Sequence, residues 1–408
     1  MNTHVAHHRE DSSDAGHLIL LGSGPRAEWD QAMGRLAARS PLLLVADMLP
    51  SWQRQYVAGA RQANLLNPAR VLEAATKFAM TRNISGILHF HPAHTRAAEL
   101  VQQELGLPGP TPATITASTL RHRTAELLER AGAANSGALH ADSYDQALRA
   151  AHAVGFPLVC KPASPRKRYA ARVVEGPAAL AEAFSTATAA TWPGTGTVIE
   201  PRLDGIEATA YALSTASGHQ VVAVSHATFD PQAEPTMLPI EVVVDADDVC
   251  APAIENIAAT ALTAIGHLAG PAQLRMCITA TGPRIIGITT HLTDPLIASL
   301  IEQVTGVDLI GAASDYARGQ AHEPVEARAG ASAVRYLQGP RAAELLRGHE
   351  SVCPSITPYA ELVQYAVPPS VGPLRRSGQL LVSGADYPQC VSRLRSALDE
   401  MRASRASA

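Results

Sequence analysis

VGFPLVCKPAS, residues 154–164, is the stretch on which the organisation of this chain turns. Gly155 stops a helical pattern, an apolar run of strand length follows, and Lys161 stands at its far end. Short apolar runs bounded by glycine and proline read as strands. Lysine itself is scarce here. Of 33 basic residues only Lys77, Lys161 and Lys167 are lysines. That pattern fits GC-rich codon drift, which turns lysine into arginine wherever lysine chemistry is not needed.

Upstream of the stretch, SYDQALRAAHAVG (143–155) is a helix from a Ser or Asp cap, and TASTLRHRTAELLERAG (116–132) is a helix stopped by Gly132. The Pro/Gly-rich LGLPGPTP (105–112) marks a domain boundary. Before it, HLILLGSGP (17–25), PLLLVAD (41–47) and ISGILHFH (84–91) are apolar strands. Helical patterns lie between and after them: one running to Arg39, one over 67–83 and one over 94–106 closed by Gly106. Alternation of this kind predicts a parallel sheet with helices on its faces, whose buried strands are near-continuously apolar. The GSGP turn lacks the full dinucleotide-binding glycine pattern, and Pro25 removes an amide donor, so it reads as a strand-ending turn.

Downstream come ARVV (171–174), a helix over 177–190 and the strand TVIEPRL (197–203). ATAYALS and QVVAVSHATF form an antiparallel pair, and a long helix covers 250–270. A hairpin over 272–292 turns at Thr281-Gly282, and the last helix spans 389–403. The fold class is α/β, in four sections: a disordered tail (1–16), an N-terminal Rossmann-like domain (17–110), a central domain (111–325) and a C-terminal lobe (326–408).

Composition excludes several function classes. A net charge of −4 argues against a nucleic-acid footprint, which needs a basic face. Cys160, Cys250, Cys277, Cys353 and Cys390 are scattered and never form C-x-x-C, so no disulfide framework or zinc knuckle is expected. Cys160 and Cys277 read as core residues. The tail, with His4, His7 and His8, has no apolar signal core, and no run of about 20 apolar residues spans a membrane. The protein reads as cytoplasmic. No G-x-S-x-G elbow supports a hydrolase.

The order of motifs resembles the ATP-grasp superfamily, in its carboxylate–amine and amino-acid ligase branch. VGFPLVCKPAS is similar to the strand G-(F/Y)-P-(V/L)-V-x-K-P of that family, and TVIEPRLDGIEATAYAL to its interlobe hinge. RIIGITTHLTDPLIASLIEQVTGVDLI resembles the metal strand and the helix after it, and AVRYL with LLVSGADYPQCVSRLRSAL the C-terminal lobe. The resemblance covers nearly the whole chain after residue 16. It implies a two-lobed ATP-grasp (α+β) module at 111–325 and an ATP-dependent carboxylate–amine ligase. Such an enzyme acts through an acyl phosphate on an amino-acid-like small molecule.

Carried over residue by residue, Lys161 matches the phosphate lysine, a job for which an ammonium is not freely exchanged. Arg121 takes the place of the first-lobe lysine. Glu200 and Leu203 match hinge positions whose backbone contacts adenine, and Glu207 a position near ribose. The implied cofactor is ATP, the implied partners are small-molecule carboxylate and amine substrates, with no nucleic acid and no membrane, and the implied assembly is a homodimer.

Two features depart from the family. The loop after Lys161, Ser164-Pro165-Arg166-Lys167-Arg168-Tyr169, has no glycine with which to cradle phosphate. The three metal-binding positions fall on Arg275, Gly287 and Thr289, none of them a carboxylate. Mg²⁺ is therefore in doubt, since it takes hard oxygen ligands. Arg275, a cation where a cation should bind, is the candidate catalytic residue. Three outcomes stay open: relocated acids such as Asp230, Glu234 or Asp294 hold the metal; Arg275 and the Arg166–Arg168 loop replace its charge; or phosphoryl transfer is lost. Beside the ligase, then, stand two alternatives: a pseudo-enzyme that binds a ligand or partner, and an enzyme reusing the cleft for ATP-independent chemistry. His89, His91 and His94 (HFHPAH, 89–94) suit zinc by type but lack a visible fourth ligand, and read instead as lining a substrate pocket.

Overall fold

The computed structural model describes residues 16–164, 170–229, 239–246, 248, 251–322, 330–338, 355–357, 360–364 and 376–406. The tail with its histidines, the Arg166–Arg168 loop with Lys167, Asp230, Glu234, Cys250 and Cys353 lie outside them.

The N-terminal section is β1 (His17–Leu21), α1 (Arg26–Arg39), β2 (Leu42–Ala46), β3 (Val57–Gln62), α2 (Pro68–Ala79), β4 (Ile84–His89) and α3 (Thr95–Leu105). Its four strands pair in parallel in the order β3-β2-β1-β4. Side chains alternate across a strand, and here both faces are covered. Leu18, Leu20, Leu42 and Leu44 pack with Trp29, Met33 and Leu36 of α1. Ile19, Leu21, Leu43 and Val45 pack with Val71 and Phe78 of α2 and Val101 of α3. β3 is absent from the sequence reading because Val-Ala-Gly-Ala-Arg-Gln carries no apolar run; it is a half-buried edge strand that pairs only with β2.

Next come α4 (Pro112–Thr119), α5 (Arg121–Arg130), β5 (Leu139–Ala141), α6 (Tyr144–Val154), β6 (Leu158–Pro162), β7 (Arg172–Val174), α7 (Leu180–Ala190) and β8 (Thr197–Pro201). The single helix expected over 116–132 is two, broken at Leu120, which takes an extended backbone. The strands form an antiparallel sheet in the order β5-β8-β6-β7, with α6 and α7 closing a core around Leu158, Cys160 and Leu180.

The third unit is a nine-stranded antiparallel sheet. It contains β9 (Ile206–Thr215), β10 (Gly218–Phe229), β11 (Pro239–Asp245), β12 (Gly270–Thr279), β13 (Gly282–Thr289), β14 (Ala331–Gln338), β15 (Ser355–Thr357), β16 (Ala360–Gln364) and β17 (Arg376–Gly384). The helices beside it are α8 (Ala251–Ala264), α9 (Pro295–Thr305), α10 (Leu309–Ala317) and α11 (Tyr387–Ala406). The expected β9–β10 pair and β12–β13 hairpin are both present. The hairpin runs from Gly270 to Thr289 and turns at Ala280–Thr281, one residue before the expected Thr281-Gly282, and α8 ends at Ala264. Cys160, Cys277 and Cys390 are free and buried. Among the described residues no single helix is long and apolar enough to cross a membrane.

Candidate functional site

A cavity of about 360 Å³ lies between the β6–β8 lobe and the β12–β13 hairpin, and reaches His91 and Thr95 of the N-terminal domain. Its floor is built by strand register. On β8, Glu200 pairs with Val159 of β6, which puts Glu200 diagonally beside Lys161 on one face of the sheet. The Lys161 ammonium pairs with Glu200 Oε1 and donates to the Ile286 carbonyl at 3.2 Å. Ser136 Oγ donates to the second Glu200 oxygen at 2.7 Å. Both charged side chains are more than nine-tenths buried, at 9% and 6% exposure. Burial pushes the Lys161 pKa down to about 8; Glu200 pulls it back up, and Arg121 and Arg275 push it further down.

Arg121 opens α5 at the break from α4. Its backbone N–H donates to the Ala163 carbonyl at 3.0 Å and its Nη1 to the Pro162 carbonyl at 2.9 Å. Burial, and then the like charge of Arg275, lower its pKa to about 10, so it remains a cation. Arg275 on β12 faces Thr209 of β9 on one side and Gly287 of β13 on the other. Its Nε donates to Glu207 Oε1 at 3.0 Å, and its Nη2 donates to the same oxygen. Lys161, Arg121, Arg275, Glu200 and Glu207 all line the cavity. Three cations that repel one another across a shared space stand beside three cavity carboxylates, Glu200, Glu207 and Asp294, and offer charged donors that an anion can take.

Leu203 stands apart: it is not among the cavity-lining residues, and its carbonyl accepts the Cys277 thiol at 3.9 Å. Glu207, expected near ribose, is the partner of Arg275. His91 lines the cavity, but its Nδ1 is engaged with the Ala93 backbone N–H at 3.1 Å. The His89 ring donates to the His91 carbonyl at 3.1 Å and lies 4.4 Å from the His291 ring. Burial, followed by His291 and His94, holds His89 well below its ordinary pKa, so it is neutral at pH 7. Among the described residues no group of three or more His, Cys, Asp or Glu side chains is placed to hold a metal ion.

The residues at the expected metal positions do not fit Mg²⁺. Arg275 and Gly287 are direct cross-strand partners and Gln273 faces Thr289, so the hairpin presents a guanidinium, a glycine, an amide and a hydroxyl. Asp294 is committed as the cap of α9, accepting from Leu296 N at 3.1 Å and Ile297 N at 3.3 Å.

Ser136, Gln273 and Thr293 also line the cavity, and local sequence does not announce them. Ser136 sits in a loop with no signal. Gln273 lies two residues before Arg275 on the same face of β12, and that period of two was the clue available. Its Oε1 accepts from Thr293 at 2.6 Å, while its Nε2 is buried with no partner.

No family model and no curated protein matches the chain. Solved structures do. The L-amino acid ligase of Bacillus licheniformis superposes with a TM-score of 0.71 at 16% identity, over 94% of this chain and 97% of that one. The N5-carboxyaminoimidazole synthetase of Staphylococcus aureus, complexed with ADP, gives 0.74 at 13% identity, over 94% and 97%. The biotin carboxylase domain dimer of Hydrogenobacter thermophilus 2-oxoglutarate carboxylase, with MgADP, ADP and bicarbonate, gives 0.73 at 15% identity, over 94% and 89%. At such identities the likeness is one of fold.

Proposed function

We propose, from the premise that the chain has the ATP-grasp fold, that it is an ATP-dependent ligase joining a small carboxylate to an amine. The observation that carries this reading is the convergence of Lys161, Arg121 and Arg275 on one cavity between the lobes. The phosphate chain lies against these three cations, with adenine on the Glu200 side of the cavity. The substrate carboxylate attacks the γ-phosphorus and ADP leaves. The amine nitrogen then attacks the acyl carbon of the acyl phosphate, phosphate departs and the nitrogen loses a proton. The chain's own contribution is positioning and charge stabilisation, the two largest levers in such chemistry. A homodimer is part of the proposal, supported by the dimer of the Hydrogenobacter domain.

A second reading is favoured by the internal pairing of two of the cations, Lys161 with Glu200 and Arg275 with Glu207. Cations so neutralised suit a protein that binds nucleotide without transferring phosphate. One experiment separates the two. The chain is incubated with ATP and pairs of L-amino acids, ADP release is followed, and amide products are sought by mass spectrometry. The ligase reading expects ADP and amide in equal amounts. ADP binding with no turnover for any pair would favour the second reading, and absence of nucleotide binding at millimolar concentration would sink both.

A further inference from the structure

The positions that the resemblance assigns to metal acids fall on a paired hairpin and carry no carboxylate. Arg275 and Gly287 remain direct partners across β12 and β13, and both line the cavity. A side chain at Gly287 would meet nothing within 4 Å, so no bulky group has filled the position. Of the carboxylates that line the cavity, Glu200 pairs with Lys161, Glu207 is bound by Arg275 and Asp294 caps α9.

We propose that the Arg275 guanidinium, held in place by Glu207, stands in for the divalent cation, so that the site binds the phosphate chain of a nucleotide without metal. The inference rests on the nucleotide-site reading above. A guanidinium offers a planar fork of donors that matches phosphate oxygens as it matches a carboxylate. The Arg275 side chain is 46% exposed, so it reaches the cavity. An arriving phosphate takes over the two donors that now share Glu207 Oε1, and Glu207 keeps the guanidinium oriented until then. With Lys161 and Arg121 it puts three cationic donors on a cavity whose carboxylates, Glu200, Glu207 and Asp294, are each already engaged, by Lys161, Arg275 and the first turn of α9.

The test is calorimetric titration of the full chain with ADP, in EDTA and again in millimolar MgCl₂. The expected result is binding in EDTA that Mg²⁺ changes by less than about threefold. Arg275→Ala should weaken metal-free binding by about tenfold or more, the scale of a lost charge-assisted hydrogen bond. Glu207→Gln should tighten metal-free binding, because the carboxylate that competes with phosphate for the guanidinium is gone. The double variant Arg275→Glu, Gly287→Glu places two carboxylates opposite each other and should make ADP binding about tenfold tighter with Mg²⁺ than in EDTA. Wild-type binding that requires Mg²⁺ would overturn the inference and leave the nucleotide site standing. So would a loss in Glu207→Gln as large as in Arg275→Ala, which would make the pair structural. No binding in either buffer would instead overturn the nucleotide site itself.

Discussion

At the scale of a single residue, Lys161 joins the stability of the fold to the proposed site. Its ammonium and the Glu200 carboxylate are buried together, and removal of one partner from such a pair leaves an uncompensated charge. Lys161→Ala is therefore expected to cost ~3–5 kcal/mol of unfolding free energy, measured by urea denaturation. Lys161→Met combined with Glu200→Gln should regain most of that loss yet fail to restore ADP binding. pH resolves the same residue in a second way. Burial lowers the Lys161 pKa to about 8, whereas an unfolded lysine titrates near ~10.4. Between those values the unfolded chain holds a proton the folded chain has released, so this group's contribution to stability rises with pH there. Anion binding runs the other way. ADP affinity should fall as pH climbs through about 8, and Lys161→Ala should lack that fall; a flat profile in the wild type would refute the assignment.

At the scale of elements, the break between α4 and α5 decides where Arg121 points. Local sequence over 116–132 is helical throughout, and nothing in it announces the extended backbone at Leu120. The break is made by β6: Arg121 donates its backbone N–H to Ala163 and its side chain to Pro162. Those partners lie some forty residues away, beyond the reach of periodicity. Another element contact rests on a missing side chain. A Cβ on Gly86 of β4 would come within 2.1 Å of the Ala317 carbonyl at the end of α10. Backbone cannot yield as a flexible side chain does, so Gly86→Ala should destabilise by roughly 1–3 kcal/mol, the usual cost of overpacking. Urea unfolding measures it, and an unchanged midpoint would mean that β4 and α10 separate without cost.

Across the whole molecule, α1 of the N-terminal domain is tied to α9 and α10 by charge. Arg39 reaches Asp308 at 2.9 Å and Asp315 at 3.1 Å, and Arg35 pairs with Glu302. Asp315 also holds Arg318 at 2.8 Å and His322 at 2.9 Å, so one carboxylate gathers three partners. Asp315→Ala strands the Arg39 and Arg318 guanidiniums and should cost ~3–5 kcal/mol, with a single calorimetric transition separating into two as the N-terminal domain uncouples. One transition at the original temperature would show that apolar packing alone joins the parts. The sequence by itself determined the strand–helix alternation and the ligase-like order of motifs, and it put Lys161, Arg275, Gly287 and Thr289 forward as candidate site positions. Each of these is written in neighbouring residues or in fixed spacing. Only the tertiary structure decided that Lys161 is neutralised by Glu200, that Glu207 answers to Arg275, that Asp294 is spent on a helix cap, and that Gly287 faces open space. Burial and pairing between distant strands set those outcomes, and neither is a property of any one segment.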